Sequence, residues 1–163
     1  MRKHVKLRSL KPTDAEAYYR IVKAPSVAEG AGFPLVKSFP QARGMLREDL
    51  RSGRNFAVTL AGQLIGVINL YATIGAAGAP NDHDLELGYF MRTDEQGRGY
   101  MTAAVRQLVG LMQRASRVDK LVADVSENNP ASSWVLRRNG FVSYHAVLDL
   151  MANHENLIFE RRV

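Results

Sequence analysis

Cysteine is absent from the sequence, which excludes disulfides, thiolate nucleophiles and zinc sites built on sulfur. Long apolar runs are absent too. The longest, Leu64 to Leu70, falls far short of the ~20 residues that a membrane helix needs. The basic start, Met1-Arg2-Lys3-His4-Val5-Lys6, is not followed by the apolar segment of a secretory signal. A soluble, cytoplasmic protein with no membrane partner is expected. No repeat, low-complexity tract or linker divides the chain, so a single domain over residues 1–163 is expected. His4, His83, His145 and His154 show no metal-ligand spacing, and no GxSxG elbow marks a serine hydrolase. No metal is expected.

A chain of 163 residues buries roughly 70% of the surface exposed by its unfolded form, enough for a core without cross-links. Twenty-two Lys and Arg against 16 Asp and Glu leave a net charge of +6. That balance favours a polyanionic partner, either nucleic acid or a phosphate-rich cofactor. The basic residues are scattered, among them Lys6, Arg8, Lys11, Arg47, Arg51, Arg54, Arg137, Arg138, Arg161 and Arg162. No basic patch interleaved with aromatics is visible, which disfavours nucleic acid.

Val5 and Leu7 alternate with Lys6 and Arg8 as a first strand does. Thr13 and Glu16 have the spacing of a capping box for a helix to about Val22. Residues 24–39 hold Pro25, Gly30, Gly32 and Pro34, a composition expected to form an irregular, mobile segment, either an acceptor-site lid or a plain connector. Ser38 with Gln41 is a second capping-box candidate, opening a helix that ends near Ser52-Gly53. Residues 55–60 and 63–71 read as strands around the Ala61-Gly62 turn, the second apolar on both faces, as in a central strand. Residues 74–81 read as a flexible hairpin loop. Leu85, Leu87, Tyr89 and Met91 then alternate with Glu86, Gly88, Phe90 and Arg92, which sets one carboxylate opposite the aliphatics.

A helix follows from Met101 to about Ala115, then a strand over 120–125 and a helix opened by Asn129-Pro130 and closed by Asn139-Gly140. Strands over 141–148 and 155–161 end the chain. This order predicts a mixed α/β fold with helices on both faces of the sheet.

Gln96-Gly97-Arg98-Gly99-Tyr100-Met101 lies between a strand and a helix. A helix amino terminus offers unpaired amides and about half a positive charge to an anion. A Walker A loop would need Gly-Lys-Ser/Thr, and a dinucleotide GxGxxG would need glycine at Thr102. What fits is Gln/Arg-x-x-Gly-x-Gly/Ala, carried by Gln96 and Gly99. Together with Leu85-Glu86-Leu87-Gly88-Tyr89 upstream, and Asn129-Pro130-Ala131-Ser132 and Gly140-Phe141 downstream, this loop resembles the GNAT superfamily of acyl-CoA N-acyltransferases. The likeness is greatest to its ribosomal-protein N-terminal acetyltransferase branch. It covers nearly the whole chain. Met101 departs from the motif's last position, and Thr93 stands where proline is usual.

The resemblance implies a GNAT fold with a twisted mixed sheet of about seven strands, and acetyl-CoA as co-substrate. It implies that pantetheine pairs with the backbone of Phe90, Met91 and Arg92. The diphosphate then meets the amides of Gln96, Gly97, Arg98, Gly99, Tyr100 and Met101, with Thr102 nearby. Asn129 contacts pantetheine or serves as a helix cap. Acetyl transfer needs a neutral amine, and amines have pKa values of ~8 to ~10. Glu86 is expected to be the general base, directly or through a water, or else an anchor for a cationic acceptor; the plain alternative is a solvent-facing strand glutamate. The tyrosine that many relatives place seven residues after Asn129 is Leu136 here, so Ser132, and more weakly Tyr144, are the candidate general acids. The oxyanion would be held by a strand N–H near Phe90.

Direct attack in a ternary complex is expected, consistent with the lack of cysteine. The acceptor is a primary amine on a protein N-terminus or a small molecule, and the protein a monomer or homodimer. A non-catalytic acyl-CoA-binding module is the alternative, with a basic nucleic-acid-binding domain behind it.

Overall fold

Short alternating segments and longer segments of helical period interleave along the chain, and they fold accordingly. The computed structural model describes residues 4–52 and 54–163. Its strands are β1 (Val5–Ser9), β2 (Asn55–Leu60), β3 (Gln63–Ile74), β4 (Pro80–Met91), β5 (Lys120–Ser126), β6 (Val142–Asp149) and β7 (His154–Arg162). Its α-helices are α1 (Ala15–Val22), α2 (Pro25–Ala31), α3 (Phe39–Ser52), α4 (Tyr100–Ala115) and α5 (Pro130–Arg138). The strands form one seven-stranded sheet in the order β1-β2-β3-β4-β5-β7-β6. β4 and β5 run parallel, while β1/β2, β2/β3, β5/β7 and β6/β7 are antiparallel. The mixed α/β class and the strand number agree with the sequence.

Two compact units share this chain, Met1–Leu70 with Gly88–Ala104, and Tyr71–Leu87 with Val105–Val163. The first packs Tyr18, Ile21 and Val22 of α1, Val27 of α2, and Ala42 and Leu46 of α3 with Ala57, Leu64, Val67 and Phe90 of the strands. Tyr18 also donates a hydrogen bond to the Asp49 carboxylate at 2.7 Å, tying α1 to α3. A buried amide pair, Asn55 Nδ2 to Asn69 Oδ1 at 2.7 Å, links β2 to β3, and Asn55 Oδ1 accepts from the Ser52 hydroxyl at 2.9 Å. In the second unit, Leu85, Leu87, Leu108, Leu121, Leu136 and Phe159 are buried.

Several local expectations are corrected. Thr13 and Glu16 make no capping box: Pro12–Asp14 form a 3₁₀ turn and α1 starts at Ala15. Instead the Asp14 carboxylate, gripped by Arg8 at 2.7 and 2.8 Å, reaches back to accept from the Lys11 amide at 2.9 Å and closes the 3₁₀ turn ahead of α1. The stretch expected to be irregular contains α2, opened by Pro25 and closed by Gly32 at φ +74°. Burial of Val27 and Ala28 gives this short helix its inward face. Ser38 does cap the Gln41 amide, at 3.3 Å, and Gln41 reaches back to the Lys37 amide at 2.7 Å. The expected stop of that helix at Gly53 lies outside the described residues. β3 and β4 extend into the expected loop, leaving a turn closed by Gly75 N–H on the Ala79 carbonyl at 2.8 Å.

Burial pushes the Asp14 carboxyl pKa up, but hydrogen bonds from Arg8 and the Lys11 amide, with their positive charge, outweigh it and leave the pKa lowered. A carboxylate whose pKa is lower folded than unfolded stabilises the fold above ~3.9 and loses that contribution as pH falls through its folded value. Asp14→Ala is therefore expected to cost about 1–3 kcal/mol in urea unfolding at pH 7. The gap from wild type should narrow below pH ~3.9; a gap independent of pH would show that the charge contributes nothing.

Candidate active site

Glycine-rich sequence after β4 makes the first part of the site. A short 3₁₀ turn, Thr93–Glu95, follows the strand, and Gln96 folds back so that its Nε2 donates to the Met91 carbonyl at 3.0 Å. Gly97 and Gly99 have φ of +72° and +79°, with Arg98 between them. Alternation of left-handed glycines with ordinary residues is the backbone pattern that can turn successive amides toward one side, as in an anion nest. The first α4 amides extend it, because a helix leaves its leading N–H groups without intrahelical partners. No atom comes within 4 Å of a Cβ built on either glycine, so the loop's outer side is open. Arg98 pairs with Glu95 at 3.5 Å, and Arg92 pairs with Asp94 at 2.6 Å and Glu95 at 3.0 Å. Carboxylates thus brace both guanidiniums beside the loop.

β4 is positioned from behind by a close approach. A Cβ on Gly66 of β3 would lie 2.8 Å from the Phe90 carbonyl oxygen and 3.3 Å from the Met101 methyl. Only glycine lets the end of β4 and the start of α4 settle against β3 this tightly. The Phe90 ring packs edge-on against Tyr18 and Phe33, at centroid distances of 5.8 and 5.5 Å. The Arg92 amide donates to the Ile65 carbonyl at 2.8 Å, so among the backbone groups assigned to pantetheine this one is engaged by the sheet.

The other candidates belong to the second unit. Glu86 is exposed on β4 between buried Leu85 and Leu87. The β4/β5 ladder pairs Asp84 with Lys120, Leu85 with Leu121 and Glu86 with Val122. Strand alternation therefore sets Asp124 on the same face as Glu86. The Glu86 carboxyl has a raised pKa, first from partial desolvation and then from the Asp124 charge. Asp124 is raised as well, by desolvation first, with a hydrogen bond from Asn156 opposing. Sequence reading missed Asp124; the signal was its place in the polar alternation Lys120, Val122, Asp124, Ser126 beside a strand already carrying Glu86.

Asn129 caps α5, its Oδ1 accepting from the Ser132 amide at 3.2 Å. Leu136 is fully buried, while Tyr144 is 68% exposed rather than in the core. Among the described residues no group of three or more His, Asp or Glu side chains is placed to hold a metal ion.

Residues 4–142 match the family described as the acetyltransferase (GNAT) domain, and the chain belongs to that family. It is 28% identical over 87 residues to the ribosomal-protein-serine acetyltransferase of Escherichia coli (strain K12), a match covering 53% of this chain and 46% of that protein. The chain thus spans about half the length of that curated relative. An acetyltransferase (GNAT family) from Bacillus anthracis superposes with a TM-score of 0.85 at 15% identity, over 98% of this chain and 95% of that one. The aminoglycoside acetyltransferase AAC(6')-Ib in complex with coenzyme A gives 0.80 at 18% identity, over 97% and 94%. The ribosomal L7/L12 alpha-N-protein acetyltransferase RimL in complex with coenzyme A gives 0.82 at 18% identity, over 98% and 94%. These likenesses establish the shared fold. No described helix is long and apolar enough to cross a membrane.

Gly66→Ala tests the close approach. The added methyl must displace backbone, so it should destabilise the protein by about 1–3 kcal/mol. A thermal melt unchanged from wild type would mean that β4 does not depend on the missing Cβ.

Proposed function

We propose that the chain, working as one domain, transfers the acetyl group of acetyl-CoA to a primary amine. One observation carries the reading: two positive-φ glycines open onto the amino terminus of α4 in a chain that matches the GNAT domain. The nest at Gln96–Met101, with Thr102 nearby, holds the diphosphate, and its amides and the helix dipole suit that charge. Pantetheine lies along Phe90, Met91 and Arg92, using groups other than the Arg92 amide, and meets Asn129. The Asn129 carbonyl oxygen serves as the α5 cap, a role compatible with contact through its amide nitrogen.

An ammonium must lose a proton before its nitrogen can attack the thioester carbon. Glu86 accepts that proton, directly or through a water. Its raised pKa makes it a stronger base than an ordinary glutamate. Asp124 supplies a second negative charge that attracts the cationic acceptor. The nitrogen bonds to the acyl carbon, a strand N–H near Phe90 steadies the oxyanion, the carbon–sulfur bond breaks, and Ser132 gives its proton to the departing thiolate while taking up the one shed by the new amide nitrogen, which restores the hydroxyl. The acceptor belongs to the class formed by protein N-termini and small-molecule amines. That range is consistent with the ribosomal-protein and aminoglycoside acetyltransferases to which the chain is similar. Leu136, where many relatives carry tyrosine, favours one rival reading, an acyl-CoA-binding module without turnover.

Thiol release from acetyl-CoA across protein N-termini, amino acids, polyamines and aminoglycosides separates the two. Amine-dependent release is expected; tight binding without it would establish the binding module. Gly99→Val should weaken acetyl-CoA binding roughly tenfold, since a side chain at positive φ costs ~1–2 kcal/mol, and unaltered affinity would remove the loop from the cofactor site. Glu86→Gln should lower kcat by about 10²-fold while acetyl-CoA affinity holds. Asp124→Asn removes a charge that raises the Glu86 pKa, so the acid limb of kcat/KM should move to lower pH. An unmoved limb would dissociate the two carboxylates.

A further inference from the structure

Among the described residues the sheet ends on β1 at one side and on β6 at the other, and the two edges differ in kind. β1 has five residues, two of them Lys6 and Arg8. Short length and cationic side chains are common means of keeping a strand edge from pairing with another chain. β6 has eight residues, and no lysine, arginine or proline is among them. Val142, Tyr144, His145, Ala146, Val147 and Leu148 are all exposed. Val147 and Leu148 point to opposite faces of the sheet, yet they are 49% and 57% exposed, so neither face of this strand is covered.

Most of β6 is regular. The ladder to β7 passes over Tyr144 at an irregularity, and then pairs His145 to Asp149 residue by residue with Ile158 to His154. Alternation puts His145, Val147 and Asp149 on one face and Ala146 and Leu148 on the other. Asp149 is fixed by the turn that follows, its Oδ1 accepting from the Met151 and Ala152 amides, each at 3.0 Å. At the tip, Leu150 is 82% exposed.

We propose that β6 pairs antiparallel with β6 of a second copy of this chain, centred on Val147, so that two sheets join across a twofold axis. In a twofold pairing of one strand with itself, a residue must sit on the axis, since opposed side chains share a face. Of the possible centres, Val147 is the one that sets His145 against Asp149, and symmetry makes that pair twice. Ala146 then meets Leu148, small against large, on the other face. Opposite charges and complementary apolar groups are the cross-strand pairs that stabilise such a couple. Continued past the strand end, the same register brings Leu150 beside Tyr144 of the second copy. Charge also selects this surface: the chain carries +6, but residues 141–153 hold no lysine or arginine and one carboxylate, Asp149. Like molecules therefore approach here with least repulsion. An extended peptide also adds to a strand edge, but a second copy brings the imidazole and the carboxylate in reciprocal register. The axis is normal to the sheet, so the Glu86–Asp124 faces of both copies open to the same side.

Sedimentation of the full chain from about 1 to about 100 μM should show a species of twice the 18.1 kDa chain mass. Val147→Lys places two ammonium groups on the axis and should raise the dimer dissociation constant by about tenfold or more, with the thermal melt and acetyl-CoA binding unchanged. Ser9→Lys, the same kind of change at the β1 edge, should leave the dimer intact. His145→Lys should preserve it and His145→Asp weaken it, because each faces Asp149. Since the chain has no cysteine, a short bismaleimide gives a second measurement: Val147→Cys should cross-link to itself far faster than Ser9→Cys. A monomer throughout the concentration range, a dimer indifferent to Val147→Lys, equal loss from Ser9→Lys, or cross-linking no faster at position 147 than at position 9 would each overturn the proposal. A monomer whose Val147→Lys variant loses turnover with peptide amines alone would assign the edge to the acceptor instead.

Discussion

Phe90 is the residue on which the first unit depends most. Its ring is held by Tyr18 of α1 and by Phe33 after α2, while its carbonyl lies against Gly66 of β3. Aromatic packing on one side and the missing Cβ on the other leave the end of β4 a single position. The turn that carries the glycines is fastened to it through Gln96 and the Met91 carbonyl. The proposed diphosphate nest works only if its amides stay aimed, since donors that must reorganise lose most of their advantage. Aim at Gly97 and Gly99 is therefore set by hydrophobic packing several residues away.

Opposite electrostatic settings are made by the same economical means, placement on a rigid element. The positive one comes from backbone, the amides at the start of α4, and so needs no lysine or arginine. Arg92 and Arg98, the guanidiniums nearest in sequence, are held by Asp94 and Glu95. The negative one comes from Glu86 and Asp124, side chains on paired strands. Loss of water raises both pKa values, and the Asp124 charge raises that of Glu86 further. This is the condition under which a glutamate gains basicity without a cationic neighbour to suppress it.

Strands and long helices were legible because their periods survive in the sequence: β3 reads as buried on both faces and is so, and α4 follows the glycines directly. What escaped was set by contacts between distant residues. No Thr13–Glu16 box formed, since Asp14, bound by Arg8 on another element, takes the Lys11 amide and closes a 3₁₀ turn there. α2 was obscured by its own boundary residues, since Pro25 and Gly32 read as breakers although they mark a helix's two ends. Asp124 gained meaning only from the β4/β5 register, which no local pattern encodes. The positive-φ turn at Gly97 and Gly99 and the Asn129 cap of α5 were readable because short motifs carry them.

Each compact unit is assembled from two separate stretches of chain, and β3, β4 and α4 each pass from one unit into the other. No single cut releases either unit as a continuous piece. A crossover anywhere within residues 71–104 parts both units at once, whereas one before or after that stretch breaks a single unit, so exchange between related chains is least costly outside β4 and the start of α4.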